Sequence, residues 1–163
     1  MSSDLPRSDG RKASSRIARR GFVLGGLAAV LGVGAVGSAR WFNVSAQVSA
    51  GDLSAPDAHV AAVAGEITLV DIRRPDEWAR TGVPEGGVGI DMRRDDFIEA
   101  LLAQTGGDRD KPVALICARG VRSARLTARL QDAGFTQIID VPEGMLGSGA
   151  GPGWVKRELP VVR

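Results

Sequence analysis

The sequence around the single cysteine, Cys117, constrains the fold more than any other stretch of the chain. Four apolar residues, 113–116, lead directly into this cysteine, and a pattern typical of an amphipathic helix runs from Val121 to Ala133. This order predicts a buried strand, a tight turn and the start of a helix. A strand that leads into a helix in this way is typical of sheets whose parallel strands are covered by helices.

The turn between this strand and this helix has the features of an anion-binding loop. The first N–H groups of a helix lack partners inside the helix, and the helix dipole favours negative charge at that end. With Arg119 and Arg122 beside it, Cys117 should ionise more readily than a free thiol. We interpret it as a nucleophile for an anionic substrate. The alternative is a buried structural cysteine that ends a core strand, as free cysteines often do.

The rest of the sequence alternates strand-like and helix-like segments. Strands are predicted at four further places: 67–73, 88–92, 137–141 and, as an edge strand, near 46–48. Helices are predicted at 54–64, 75–80, 95–104, 121–133 and, as a short segment, after Trp154. The alternation predicts an α/β fold in which helices cover both faces of a mostly parallel sheet. Ligands of such sheets bind beyond the carboxyl ends of the strands, where Cys117 lies.

Charge is distributed unevenly along the 163 residues and excludes some classes of function. The first forty residues carry seven Lys/Arg and two Asp/Glu, whereas residues 41–163 carry fourteen and seventeen. The mildly acidic remainder argues against nucleic-acid binding, and the lack of tyrosine argues against a platform for stacking bases. One cysteine excludes an internal disulfide framework and a zinc cluster of cysteines.

The N-terminal segment has the organisation of an export signal. Residues 1–20 are polar and basic and are expected to be disordered, and residues 21–39 are uncharged and moderately hydrophobic. Arg19 and Arg20 resemble the twin-arginine signal, although Ala18 replaces the usual Ser or Thr. In the other interpretation, the two arginines only set a positive-inside orientation.

Both interpretations send the domain to the periplasm. Cleavage after Ala39 would release it. An uncut helix of residues 21–38 would span about 27 Å, close to the roughly 30 Å hydrocarbon core, and would anchor the domain to the inner membrane. A linker, residues 40–46, then leads to one domain at 47–163.

Three parts of this domain resemble the rhodanese family of sulfurtransferases. Residues 71–78, Asp-Ile-Arg-Arg-Pro-Asp-Glu-Trp, resemble the family's Asp-Val-Arg-x-Pro-x-Glu segment with its following aromatic residue. Residues 117–124 resemble the active-site loop and helix start, and residues 134–135 with 140–145 resemble the closing strand and glycine turn. The resemblance extends from about Gln47 to the C-terminus.

This resemblance implies a rhodanese-like fold with a central five-stranded, mostly parallel sheet and helices on both faces. It implies that Cys117 accepts a sulfane sulfur as a persulfide, without a metal or a cofactor. Asp71 and Arg73 are expected to brace the fold near the site. The persulfide charge is expected to be stabilised by the N–H groups of the loop: Ala118, Arg119, Gly120, Val121, Arg122 and Ser123.

We expect different roles for the two arginines of the loop. Arg119 is expected to recognise the anionic donor, whereas Arg122 either holds the loop or contacts the donor. Rhodanese-related phosphatases and arsenate reductases have a similar loop that is one residue longer before its arginine. Here Arg122 is the fifth residue after Cys117 and Ser123 the sixth, and this smaller loop favours the outer sulfur of thiosulfate, or a persulfide, over phosphate.

Two segments depart from the family pattern. Residues 81–86 lack the family's histidine and carry an extra residue, Glu85. The loop at 147–153 is longer and richer in glycine, which predicts a close backbone approach, for example to the Cys117 loop. The one histidine, His59, lies on a predicted surface helix and is expected to be solvated.

Together these features predict a sulfurtransferase. It would move a sulfane sulfur from thiosulfate or a persulfide through Cys117 to a thiol, a protein cysteine or another thiophilic acceptor. Two steps through a covalent intermediate predict ping-pong kinetics. The alternative function is an inactive rhodanese-like module, tethered to the membrane, that binds a partner protein.

Overall fold

The computed structural model describes residues 51–163 of the chain. This range contains four helices: α1 Ala55–Val63, α2 Pro75–Thr81, α3 Phe97–Thr105 and α4 Val121–Asp132. It contains six strands: β1 Thr68–Asp71, β2 Val83–Pro84, β3 Gly87–Gly89, β4 Val113–Ile116, β5 Ile138–Asp140 and β6 Val161–Val162. The alternation of strands and helices confirms the predicted α/β class.

The central sheet is parallel, with the strand order β3-β1-β4-β5. β4 has a neighbour on each side, and all four of its residues are buried, which explains the continuous apolar run before Cys117. β2 and β6 form a separate antiparallel pair. Within the described residues the central sheet therefore has four strands, and the fifth that we predicted, near 46–48, lies outside them.

Side chains from β4 contribute to the core on both faces of the sheet. On one face, Leu115 belongs to a cluster that includes Leu130 of α4. On the other face, Ala114 and Ile116 belong to a cluster that includes residues of α1 and Trp154. Successive side chains of a strand point to opposite faces, so one buried strand serves both clusters. The predicted cover of helices on both faces is confirmed.

Two predictions about helices are wrong: that Asp95 or Asp96 caps the helix at 95–104, and that a short helix follows Trp154. Asp96 occupies the position before α3, but its carboxylate makes no capping hydrogen bond and instead binds Arg94 at 2.6 Å. The short helix predicted after Trp154 is absent from the described chain, where residues 154–158 form consecutive turns. Glu158 has a φ of 56°, a left-handed conformation that interrupts a right-handed helix before β6.

His59 is not simply solvated, contrary to the prediction. Its Nε2 lies 2.8 Å from Glu85 Oε2, and its ring meets the Trp154 ring edge-on at a centroid distance of 5.4 Å. Glu85 is the residue by which this chain departs from the family pattern. The extra glutamate therefore links the turn between β2 and β3 to α1.

In residues 51–163, the helices are too short or too polar to cross a lipid bilayer. The predicted export or anchor segment, residues 21–39, and the basic residues before it lie outside the described residues.

Candidate active site

Cys117 follows β4 at the carboxyl end of the sheet, where the sequence places it. The residue is 1% exposed and contributes to the core cluster on one face. The hydroxyl of Ser123 donates a hydrogen bond to Cys117 Sγ at 3.5 Å, and the Met145 N–H binds the Cys117 carbonyl at 2.8 Å. Ser123 therefore contacts the sulfur of this buried residue, and Met145 holds its backbone.

The loop after Cys117 presents a series of N–H groups that have no partner. None of the N–H groups of residues 118–123 donates a hydrogen bond to another described residue. Gly120, which precedes α4, has a φ of 78°, a conformation that glycine adopts without steric cost. Successive N–H groups at the start of a helix can stabilise an anion bound there. The six residues for which we predict this role, Ala118 to Ser123, lie together next to Cys117.

Gly144 packs closely against this loop. Its φ is 65°, and a Cβ atom there would lie 2.7 Å from the carbonyl carbon and oxygen of Ala118. The close backbone approach predicted for the glycines of residues 147–153 is present at Gly147, Gly151 and Gly153, but their nearest neighbours do not belong to the Cys117 loop. Gly151 instead approaches the Glu143 carboxylate, while Gly147 and Gly153 pack against each other.

Arg122 reaches from α4 to α2. Its Nη1 and Nη2 donate to Glu77 Oε2 at 2.8 Å and to Oε1 at 2.7 Å. These hydrogen bonds are the main reason that the pKa of Glu77 is lowered to about 2. The pKa of Arg122 is raised, chiefly by its hydrogen bonds to Glu77. These contacts join the start of α4 to α2.

Arg119 is placed differently from Arg122. It is exposed on the loop, and no carboxylate among the described residues forms an ion pair with it. Its guanidinium is therefore available to a ligand that approaches Cys117 from solvent. Arg119 and Arg122, whose roles the sequence does not separate, thus have different surroundings.

Asp71 and Arg73 form a buried ion pair next to the site. Arg73 Nη2 lies 2.6 Å from Asp71 Oδ2, and neither side chain is more than 1% exposed. Arg73 also donates to Thr81 Oγ1 and to the Gly82 carbonyl, both at 2.8 Å. Burial raises the pKa of Asp71, even though the hydrogen bonds from Arg73 oppose this shift. The pair ties the end of β1 to the end of α2.

Two carboxyl groups near the loop were not identified from the sequence. Asp140 ends β5 opposite Leu115, is 7% exposed, and its Oδ1 has no hydrogen-bond partner among the described residues. Burial raises the pKa of Asp140 to about 6, although the Ser123 hydroxyl is near enough to oppose the shift. The alternation of apolar and polar residues along a strand does not indicate that an acidic residue at its end is buried.

Glu143 is the second of these carboxyl groups. It is 2% exposed, yet it accepts hydrogen bonds from the N–H groups of Ala55 and Gly153 and from the guanidinium of Arg157. Burial alone would raise its pKa, but these donors outweigh burial and lower it. Glu143 thereby connects the start of α1 to the loop that follows Gly144.

Comparison with known proteins places this geometry in a family. A model of the rhodanese-like domain matches residues 54–147, which include both the Asp71 segment and the Cys117 loop. A sulfurtransferase of Allochromatium vinosum is 28% identical over 97 residues, which are 60% of this chain and 79% of the relative.

Two solved structures share the fold at the same level of identity. The polysulfide-sulfur transferase homodimer of Wolinella succinogenes is 28% identical, with a TM-score of 0.52 over 85% of this chain and 92% of that one. A rhodanese-related protein of Thermoplasma volcanium is also 28% identical, with a TM-score of 0.50 over 68% and 96% of the two chains. The parallel sheet, the cysteine loop and the family match agree: this chain belongs to the rhodanese-like domain family.

Proposed function

We propose that this chain is a sulfurtransferase that carries a sulfane sulfur on Cys117 from an anionic donor to a thiophilic acceptor. The observation that supports this most directly is the series of six N–H groups, residues 118–123, that have no acceptor among the described residues. A persulfide or thiolate at Cys117 would carry negative charge at the start of a helix, where these groups and the helix dipole stabilise it.

The first step is attack of the Cys117 thiolate on the outer sulfur of thiosulfate. The bond between Sγ and that sulfur forms, the bond to the sulfite sulfur breaks, and sulfite leaves with the electron pair. In the second step, cyanide or a thiolate attacks the outer sulfur of the persulfide and the Cys117 thiolate is restored. Atoms and electrons balance without a cofactor, and the two half-reactions give ping-pong kinetics.

The surroundings of the arginines favour a sulfur donor over a phosphate ester. Two guanidinium nitrogens of Arg122 donate hydrogen bonds to Glu77, so they are not free to bind phosphate oxygens. Arg119 has no such partner among the described residues and is our choice for recognition of thiosulfate or a small persulfide. The loop also lacks the extra residue that the related phosphatases carry.

The test is the rate of thiocyanate formation from thiosulfate and cyanide by the full chain. We expect parallel lines in double-reciprocal plots at several cyanide concentrations, and no activity in Cys117→Ser. Intersecting lines would exclude the persulfide intermediate. Activity that is unchanged in Cys117→Ser would exclude Cys117 as the carrier.

A second candidate function is a module that binds a partner protein without turnover. The burial of Cys117, which is 1% exposed, is the observation that favours it, since a reactive thiol is usually more accessible. In this case Cys117→Ser would leave the biological effect of the protein unchanged.

We also propose that the domain acts in the periplasm, on the basis of the sequence of residues 1–39 alone. Fractionation of cells that produce the full chain tests this. Replacement of Arg19 and Arg20 by lysine should retain the protein in the cytoplasm if the twin-arginine route is used. It should have little effect if the arginines only orient an anchor.

A further inference from the structure

We propose that the surface around the Cys117 loop docks an acidic protein whose cysteine accepts the sulfur. This inference rests on the sulfurtransferase function proposed above and names its acceptor class. We call the surface the acceptor rim and define it by five exposed side chains: Arg119, Arg125, Arg129, Leu146 and Val155.

The arginines of the acceptor rim stand apart from most others in the described residues. Seven arginines there form an ion pair with a carboxylate: 73, 74, 80, 93, 94, 122 and 157. Arg119, Arg125 and Arg129 are exposed and form none with a described residue. Arg119 thus lies on the loop of Cys117, and Arg125 and Arg129 lie on the helix that follows it, where Arg129 lines a groove that also contains Asp95 and Glu99. This occurs in a region, residues 51–163, that has more acidic than basic side chains.

Helix stability does not explain the charge of Arg125, whereas Arg129 lies in the last turn of α4, where a basic side chain is favourable. The N-terminal end of a helix carries positive partial charge, so acidic side chains stabilise it and basic ones destabilise it. The first turn of α4 has no acidic residue, yet Arg122 and Arg125 lie in its first two turns. Because Glu77 pairs with Arg122, the arginines whose charge adds to that of the helix start and attracts a negatively charged partner are Arg119 and Arg125.

The shape of α4 favours a large partner over a small ion. Ala124 and Ala128 are exposed and lie one residue before Arg125 and Arg129. Positions four residues apart share one side of a helix. The two small alanine side chains therefore form a strip of low relief beside the guanidinium groups of Arg125 and Arg129. A second protein can approach such a strip closely, whereas a small anion needs only Arg119 and the loop.

The other side of the loop is apolar. Leu146 is 46% exposed, and its N–H donates to the Ala118 carbonyl at 2.9 Å, which places it directly beside the loop. Val155 is 43% exposed and is joined to Met145 by a hydrogen bond of 3.0 Å. Apolar side chains next to arginines are typical of protein interfaces.

The position of Cys117 requires close contact between the loop and a protein that accepts the sulfur. Because its residue is 1% exposed, an acceptor must be held against the loop while its sulfur reaches Cys117. An anionic lipid surface would also attract the arginines and the apolar residues, but it would cover the loop without supplying a sulfur acceptor. The geometry therefore favours an acidic protein over a membrane.

The test uses two synthetic peptides of equal length, each with one cysteine beside two leucines. One is rich in Asp and Glu, and the other has Asn and Gln in their place. The rate of sulfur transfer from the persulfide form of the full chain is measured for each peptide and for cyanide. The acidic peptide should react faster than the neutral one, and added salt should reduce the difference, since contacts between exposed charges are screened.

The double variant Arg125→Ala/Arg129→Ala should slow transfer to the acidic peptide roughly tenfold, since removal of two interfacial charges weakens association. Transfer to cyanide should not change, because neither residue belongs to the proposed site. Lys111→Ala/Arg163→Ala removes the same charge elsewhere and should behave as wild type. Equal rates for both peptides in the wild type, or no effect of the double variant, would overturn the proposal.

Failure of the proposed function is distinguished by a binding measurement. The same peptides with serine in place of cysteine accept no sulfur, and their affinity for the chain depends on docking alone. If cyanide yields no thiocyanate but the acidic serine peptide still binds more weakly to the double variant, docking stands without sulfur transfer. If the double variant loses binding only to phosphatidylserine vesicles and not to the peptide, the surface binds lipid and the proposal fails.

Discussion

Arg122 and Glu77 are 45 positions apart in the sequence and form a two-point ion pair, with N···O distances of 2.8 and 2.7 Å. The pair joins the start of α4, and with it the Cys117 loop, to α2. Two parallel hydrogen bonds fix both the distance and the orientation of the guanidinium group. The position of the loop therefore depends on a residue outside it.

Glu77→Gln tests this dependence. The free energy of unfolding should fall by about 1–3 kcal/mol, because the half-buried Arg122 loses its charged partner. The kcat/KM for thiosulfate should fall as well, because the loop is no longer held. Urea unfolding and steady-state kinetics measure the two effects.

Asp76→Asn is the matched control. Asp76 pairs with Arg74 and Arg80 at the surface, and such exposed pairs contribute about 0–1 kcal/mol. An effect of Asp76→Asn as large as that of Glu77→Gln would show that general loss of negative charge on α2, and not the Arg122 contact, is responsible.

Arg119→Ala is predicted to weaken donor recognition without affecting the fold. Arg119 is exposed and forms no ion pair with a described residue, so its removal leaves no carboxylate unpaired. Loss of a charged hydrogen bond to the donor should raise the KM for thiosulfate roughly ten- to hundredfold. Arg125→Ala, further along α4, should leave this KM unchanged. If Arg119→Ala retains the wild-type KM, Arg119 does not recognise the donor.

Gly144→Ala is predicted to displace the Cys117 loop. The new methyl group would lie 2.7 Å from the Ala118 carbonyl atoms, and a φ of 65° is itself unfavourable for alanine. Together these effects should lower the free energy of unfolding by about 2–5 kcal/mol and abolish most activity.

Gly107→Ala separates the two causes in this prediction. Gly107 has a φ of 84° and nothing within 4 Å of its would-be Cβ atom, so only the backbone cost of about 1–2 kcal/mol remains. If both variants lose the same stability and both keep full activity, the contact between Gly144 and the loop has no functional role.

The pH dependence of stability should show the buried carboxyl of Asp140. Burial raises its pKa to about 6, whereas an unfolded chain has an aspartate pKa of about 3.9. Between these values the unfolded chain loses a proton that the folded chain keeps. The contribution of Asp140 is therefore fully present below about pH 4 and is lost as the pH rises to about 6, with a total of at most about 3 kcal/mol.

Asp140→Asn removes this titration. The difference in unfolding free energy between wild type and variant should change with pH between 4 and 6 and remain constant at higher pH, as measured by urea unfolding. The contribution of Glu77 to the free energy of unfolding changes with pH in the opposite direction. Because the pKa of Glu77 is lowered to about 2, this contribution is lost only as the pH falls below about 4. A constant difference between pH 4 and 6 would show that Asp140 titrates normally.

Local sequence patterns were sufficient to predict the strand, loop and helix around Cys117. A continuous apolar run, a glycine and an amphipathic segment all act over a few residues, so their order specifies the local structure. The family resemblance then identified Asp71 and Arg73, whose bracing contacts the structure contains.

Contacts between segments that are distant in the sequence could not be predicted in the same way. The different surroundings of Arg119 and Arg122 arise from Glu77, and the partner of His59 is Glu85, 26 positions away. Asp140 is buried because β5 lies beside β4, and nothing in its own strand indicates this. Pairings of this kind depend on the assembled sheet and not on local pattern.

The most direct test of sulfur transfer through Cys117 is the intact mass of the full chain before and after thiosulfate, and again after cyanide. We expect the gain of one sulfur atom, its absence in Cys117→Ser, and its loss to cyanide with release of thiocyanate. No gain of mass with thiosulfate, mercaptopyruvate or glutathione persulfide would contradict sulfur transfer through Cys117 and favour the partner-binding module.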